Sequence, residues 1–373
     1  TLAWAVSDHI LFAAENGKSL ELPFDALILC TGASERIMPT PGWNYAGTYS
    51  LGGAQIALKS QACSIGRNVV FMGTGPLLYL IASQYIAAGA TVAAVLDTST
   101  IADGIAGIPG LLTQPSVLWR GIEMLKVIQA AGVPIVRGVL PIRIQGTAND
   151  GIAGLEYRDR SGRHHELACD AVALGYHLRS ESQLADLAGC TFSFDSRTRQ
   201  WVVDIDDNFR VAANVYMAGD GARILGADAA EVSGRLVAQS VLADLGHAVD
   251  QREVKRLRRR YTRYRRFAKG LARAFPWPVA HVLKLQDDTI VCRCEVITVG
   301  QLRDVASQKC ADEVNRAKAF SRVGMGRCQG RFCSIAAAEI VADAARIPVE
   351  RVGRMRGQAP VKPLPIAIEQ DIK

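Results

Sequence analysis

No apolar run in this sequence is long enough and unbroken enough to cross a bilayer. The longest apolar stretch, Val69 to Leu96, is interrupted by Gly73, Gly75, Pro76, Gln84 and Gly89. Its first part reads as a buried strand and its second as a helix. Disulfide-scaffold content is also missing: nine cysteines among 373 residues are sparse, and their number is odd. With no secretory leader visible, a reducing, cytoplasmic compartment is expected. Nor is there hydrolytic machinery. His9, His164, His165, His177, His247 and His281 form no ligand pattern, and no Ser/His/Asp set or carboxylate pair stands out. The chemistry must come from cofactors. Finally, there is no broad basic face. The formal charge is +7, but Arg252 to Lys269 alone carries ten basic residues and one acid, so the rest of the chain is net negative. That concentration argues against nucleic acid as a partner.

What is present begins near the C-terminus. Cys292-Arg293-Cys294 and Cys328-Gln329-Gly330-Arg331-Phe332-Cys333 are two close pairs with 33 residues between them. Such pairs can bring four thiolates to one centre, suited to an iron–sulfur cluster, a structural zinc or a disulfide framework. Zinc ligand pairs are usually two to four residues apart, and Cys-x-Cys is tighter. The glycines of Gly324-Met325-Gly326-Arg327-Cys328 and Gly330 let backbone N–H groups approach sulfur, which tunes a cluster's potential. A 2Fe–2S cluster is the preferred reading, with zinc next. Cys30, Cys63, Cys169 and Cys190 are single, and Cys30 and Cys169 read as small core residues.

Nucleotide-type motifs precede them. Asn16-Gly17 marks a hairpin turn, and Phe24 to Ala33 is an apolar strand ending in Thr31-Gly32-Ala33. Asn68 to Asp97 is a βαβ unit with the turn Gly73-Thr74-Gly75; Leu78 stands where a third fingerprint glycine would be. Asp97, 22 residues after Gly75, ends the second strand where a carboxylate would accept ribose hydroxyls. The bland alternative is a βαβ unit without a nucleotide. Short strands with turns at Asn149-Asp150-Gly151 and Ser161-Gly162 follow, then an apolar strand, Asp170 to Gly175. Val215-Tyr216-Met217-Ala218-Gly219-Asp220-Gly221 leads into a helix from about Ala229 to Leu245. Gln251 to Arg273 is a helix with one apolar stripe and arginines on its other faces. It reads as a solvated helix, or as a docking arm for an acidic partner subunit or an anionic membrane surface. Val299 to Ser307 and Ala336 to Ala345 read as helices, and Pro360 to Pro365 as an extended tail.

The Cys292-Arg293-Cys294-Glu295 segment, the Gly324 to Cys333 run and the tail Gly357 to Pro365 together resemble one family. It is the FAD- and 2Fe–2S-containing α subunit of amino-acid dehydrogenases built from several subunits, among them opine oxidase, hydroxyproline dehydrogenase and hydrogen cyanide synthase. The C-terminal region is similar to bacterioferritin-associated ferredoxin. The resemblance implies an α/β, two-dinucleotide-binding-domain flavoprotein fold plus a small α-helical cluster domain. On it, 1–45 and 176–248 form a partial FAD-binding domain and 46–175 an inserted NAD-like domain. A basic linker follows over 249–285, then the cluster domain over 286–350 and a Pro-rich tail over 351–373. Cys292, Cys294, Cys328 and Cys333 would ligate the cluster, and Thr31, Gly32, Gly219 and Asp220 would line the FAD site. Gly73, Gly75 and Asp97 would hold NAD or another adenine nucleotide. The fold's first βαβ unit has no counterpart in residues 1–373, so the chain reads as truncated at its start and is expected to bind FAD weakly or not at all alone.

The function so implied is electron transfer, beside a flavin-containing β subunit that carries the substrate site. Peripheral membrane contact and a small ferredoxin-like subunit are further candidates. Two rivals remain. One is a stand-alone NAD(P)H-dependent FAD/2Fe–2S reductase; the other is a non-catalytic metal-binding module.

Overall fold

The computed structural model describes residues 2–7 and 9–364. Its centre is a five-stranded parallel sheet. The strands lie in the order Thr48–Ser50, Ala171–Tyr176, Val69–Thr74, Val92–Asp97 and Ile135–Arg137. Every residue of Val69–Thr74 and Ala171–Tyr176 is buried, as helix-covered parallel strands require. The expected βαβ unit is there, its helix running Pro76–Ala87. Leu140–Thr147, Gly151–Arg158 and His164–Ala168 add an antiparallel sheet whose turns fall at the two predicted places.

The hairpin Ile10–Glu15 and Lys18–Pro23 turns at Asn16 and Gly17, both with positive φ. The apolar run after it departs from expectation. Only Leu27–Leu29 forms a strand there, parallel to Val215–Met217. Gly32, at φ +71°, swings the chain away, and Ala33–Glu35 pairs instead with Leu178–Ser180. Cys30, expected in the core, is exposed, whereas Cys169 and Cys190 are buried. A ninth cysteine without a sequence reading, Cys310, is exposed.

The C-terminal region is not purely helical. The ribbon Ile290–Cys292 with Ile297–Thr298 precedes helices Val299–Gln308, Val314–Ser321, Ser334–Ala345 and Val349–Val352. Thr298 and Gln301 form a capping box on the first of them. Residues beyond 364, including Pro365 of the expected extended tail, lie outside the described residues.

The arginine helix spans Gln251–Ala274, with the Asp250 carboxylate accepting from the N–H groups of Arg252 and Glu253. The sequence suggested one packed stripe; there are two. Leu257 packs with Val232, Leu236 and Val237 of helix Ala227–Asp244. The second half lies against the antiparallel helix Ile101–Leu111 through glycines. A Cβ on Gly107 would sit 2.7 Å from the Ala274 Cβ, and one on Gly110 would sit 2.5 Å from the Gly270 Cα. Glycine is thus what lets the two backbones touch. Among the described residues no helix is long and apolar enough to cross a membrane.

Gly110→Val should destabilise this pairing by about 1–3 kcal/mol, because the added atoms have only backbone to displace. Gly121→Ala, a helical position with nothing within 4 Å of the new Cβ, should instead gain up to about 1 kcal/mol. Parallel thermal melts read both.

Candidate cofactor sites

The four C-terminal cysteines are folded together by two tight loops. Val296, at φ 55°, reverses the ribbon after Cys294, and Gly324, Gln329 and Gly330 take positive φ around Cys328. Cys333 caps the helix Ser334–Ala345. Cys292 and Cys333 are buried, Cys328 is half-buried and Cys294 is exposed. The four thiols lie near one another, Cys292 interacting most strongly with Cys333 and Cys294 with Cys328. The Cys333 thiol and the backbone N–H groups of Gly324, Glu295 and Cys294 hold Cys292 down at about 6, against the opposing effect of burial. Hydrogen bonding to Cys292, together with burial, pushes Cys333 up.

Glycine makes the approach possible. A Cβ on Gly326 would lie 2.3 Å from the Cys294 Cβ, and the Met355 sulfur fills the space where Gly324 and Gly330 would carry theirs. Among the described residues, no three His, Cys, Asp or Glu side chains converge as ligands of a single ion. The thiols are arranged two and two.

The flavin-type residues also come together. Gly32 and Gly219 have positive φ, and a Cβ on Gly221 would touch the Thr31 Oγ1 at 2.8 Å. The N–H of Gly219 donates to Ser233. Asp220 Oδ1 accepts from the N–H groups of Leu225 and Gly226, folding the turn onto the N-terminus of helix Ala227–Asp244. Its carbonyl accepts from Ser180 Oγ. This is a backbone cradle beside a helix N-terminus, the setting that suits a pyrophosphate.

One residue joins the two places. The Glu181 N–H donates to the Gly32 carbonyl at 3.0 Å, and its own carbonyl accepts from Thr31 Oγ1. Its carboxylate takes Arg331 Nε at 2.5 Å, and Arg331 donates onward to the Cys328 carbonyl. Arg179, two residues earlier, donates to the Gly330 and Arg331 carbonyls and to Ser334. Sequence reasoning assigned no role to Arg179, Glu181 or Arg331. Arg331 lies inside the run Cys328 to Cys333, and that position is its one sequence signal.

The second nucleotide position is differently built. Gly73 is needed by the sheet itself, since a Cβ there would strike the Gly175 carbonyl at 1.7 Å. Asp97 is fully buried; Oδ2 accepts from Tyr79 Oη at 2.5 Å and Oδ1 from the Ser99 N–H at 2.8 Å. Burial raises its pKa. The imidazole of His177 lies beside Gly75, and its Nε2 contacts the Phe275 carbonyl at 2.5 Å. The carbonyl partner assigns the proton to Nε2. The end of the arginine helix therefore sits over the turn.

Compared with known proteins, the chain is 36% identical over 366 residues to an opine oxidase subunit from Rhizobium meliloti, an alignment covering 96% of this chain and 68% of that one. The chain belongs to the family of opine oxidase A subunits. It is an oxidoreductase subunit of the flavin-dependent kind. Hydrogen cyanide synthase subunit HcnB of Pseudomonas aeruginosa is 29% identical, covering 94% of this chain and 77% of that protein. The sarcosine oxidase A3 domain model matches residues 289–370, a span that holds all four clustered cysteines. L-proline dehydrogenase from P. horikoshii shares the fold, with a TM-score of 0.70 at 17% identity, over 99% of this chain and 64% of that one.

Burial pushes His177 down to about 4, whereas a free histidine titrates near 6.5. Between those values the unfolded chain binds the extra proton, so this seat is most stable above about pH 6.5 and weakens as pH falls towards 4. The protection factors of 270–277 in hydrogen exchange, corrected for the intrinsic pH dependence of the rate, should fall over that window, and His177→Gln should flatten the dependence.

Proposed function

We propose that the chain is the electron-transfer subunit of a dehydrogenase or oxidase acting on the C–N bond of an amino acid, imino acid or opine. The observation carrying this reading is the cysteine constellation tied by Glu181 and Arg331 to the flavin-type turn. The donor set fits a 2Fe–2S cluster. Four thiols lie together, Cys292-Arg293-Cys294 is tighter than the usual spacing of zinc ligand pairs, and the backbone N–H groups of Gly324, Glu295 and Cys294 favour a thiolate at Cys292. Cys292 and Cys333 would hold one iron, Cys294 and Cys328 the other. The turn residues Thr31, Gly32, Gly219 and Asp220 fit the phosphate and ribityl side of FAD. When bound, FAD exchanges electron pairs and the cluster passes single electrons.

The chain's own contribution is positioning. Glu181 and Arg331 fix the spacing of the two places, and Arg179 puts a half-buried cation beside the cysteine loop, a charge that raises a cluster's potential. The C–N oxidation is assigned to a partner β subunit with its own flavin, in keeping with the word subunit in the names of the relatives. Those names also suggest the substrate class.

Metal and sulfide analysis with electron paramagnetic resonance on anaerobically purified, dithionite-reduced protein tests the centre. Two irons, two sulfides and a spin-half signal are expected, and Cys328→Ser should abolish the signal while leaving the nucleotide-domain fold intact. One zinc and no signal would leave a structural module.

The stand-alone reductase reading needs a nucleotide at Gly73, Gly75 and Asp97. Both Asp97 oxygens are already engaged inside the protein, so NADH without a partner subunit should leave FAD supplied in excess oxidised. Rapid loss of the oxidised-flavin absorbance would revive that reading.

A further inference from the structure

The helix Ile101–Leu111 is built inside out. Its packed face, against the arginine helix, carries Gly107 and Gly110, where any side chain would collide with backbone. Its large apolar residues point the other way: Ile101 is 60% exposed, Ile105 61%, Ile108 45% and Leu112, just beyond its end, 58%. Spacings of four, three and four put them on one stripe. Trp119, at 56%, follows at the start of the next helix, Pro115–Ala130. A contiguous exposed apolar stripe of this kind marks an interaction surface.

The stripe ends against a basic one. Thr113 Oγ1 contacts the Arg263 carbonyl, and the carbonyl of Arg266 faces Gly110. From there an open basic face runs back along the arginine helix past Arg266, Arg263, Thr262, Arg259, Arg258 and Lys255. The helix's one acid, Glu253, is taken by Arg235 and Arg256 at its far end. Among the described residues, no other basic side chain of the helix has a carboxylate partner.

We propose that this composite surface seats an acidic, apolar-faced segment of the partner β subunit. The proposal rests on the multi-subunit reading above and adds where the contact lies. Charge decides the occupant. A second copy would set two strongly basic stripes against each other, which disfavours a self-complementary dimer. A helix lying in a bilayer surface carries lysines and arginines on its own polar face. The helix Ile101–Leu111 has none; its only charge is Asp103, and its other face is spent on the arginine helix. An acidic protein segment satisfies both halves. At about 1.5 Å per residue, 11 residues of apolar helix and the 12 from Lys255 to Arg266 offer roughly 35 Å of seat, enough to run the length of a standard interface of about 800 Å² per partner.

The test compares hydrogen exchange in the isolated chain and in the enzyme assembled by co-expression with its β subunit. Protection of 101–112 and 255–266 on assembly is expected. Ile105→Glu/Ile108→Glu, at exposed positions, should cut co-purification of the β subunit by about tenfold. Arg259→Glu/Arg263→Glu should weaken assembly most at low salt. The cluster signal per chain should be unchanged in both, which separates lost docking from lost folding. A β subunit that assembles normally with both variants, with no protection at 101–112, would overturn the surface and leave the multi-subunit reading standing. Protection of 101–112 by vesicles of phosphatidylcholine with phosphatidylglycerol, or by dimerisation of the isolated chain, would also overturn it. An active enzyme needing no second subunit would overturn the reading on which it rests.

Discussion

The position of the cysteine loop depends on carboxylates that are shut away from water and matched to arginines on the other side of one internal interface. Glu339, 3% exposed, receives Arg199 through two bonds of 2.6 and 2.7 Å. Asp186, equally buried, receives Arg354 through two bonds of 2.7 Å and the Gly357 N–H at 2.8 Å. Glu181 receives Arg331. Leaving such a charge without its partner costs about 3–5 kcal/mol, although the pair adds little over an apolar contact of the same shape. The value of these pairs is geometric. A two-point guanidinium–carboxylate contact fixes orientation as well as distance, so the cysteine loop has one way to sit on the nucleotide core.

Apolar packing across the same interface supplies area where the ion pairs supply direction. Met38 and Tyr176 of the nucleotide core share a cluster with Trp277, Val291, Cys292, Val299 and Cys333. The Trp43 indole N–H donates to the Ile290 carbonyl at 2.6 Å, and Arg293 lies over the same ring. The first cysteine pair is therefore gripped, just before and within it, by one tryptophan from the central domain. This explains how a short ribbon and four modest helices hold a thiol cluster steady: their rigidity is borrowed from the sheet.

Close backbone approach is the second constraint, and it recurs wherever function is read. Gly326 admits Cys294, Gly221 admits Thr31, Gly73 admits Gly175, and Gly107 and Gly110 admit the arginine helix. The first two lie at the cysteine loop and at the flavin-type turn. The other three serve packing, so a glycine in the βαβ turn has a structural use of its own beside any nucleotide it would admit. Asp97 carries the same lesson: a carboxylate at the end of a strand can face a ribose or a tyrosine, and local sequence does not distinguish them.

By itself the sequence determined the elements and the chemistry carried within single loops. Period-two and period-3.6 patterns located the βαβ unit, the hairpins and the arginine helix to within a few residues, because burial of one face is a local property of spacing. The paired cysteines announced a thiol centre, since ligand type and glycine-rich loops are written in short segments. Tertiary structure alone decided the rest. It alone paired Cys292 with Cys333, engaged Asp97 internally and brought Glu181 between Gly32 and Arg331 across 150 positions of chain. It also turned the isoleucines of 101–112 outward. Those outcomes depend on which distant backbone arrives next to which side chain, and no spacing rule within a segment encodes that arrival.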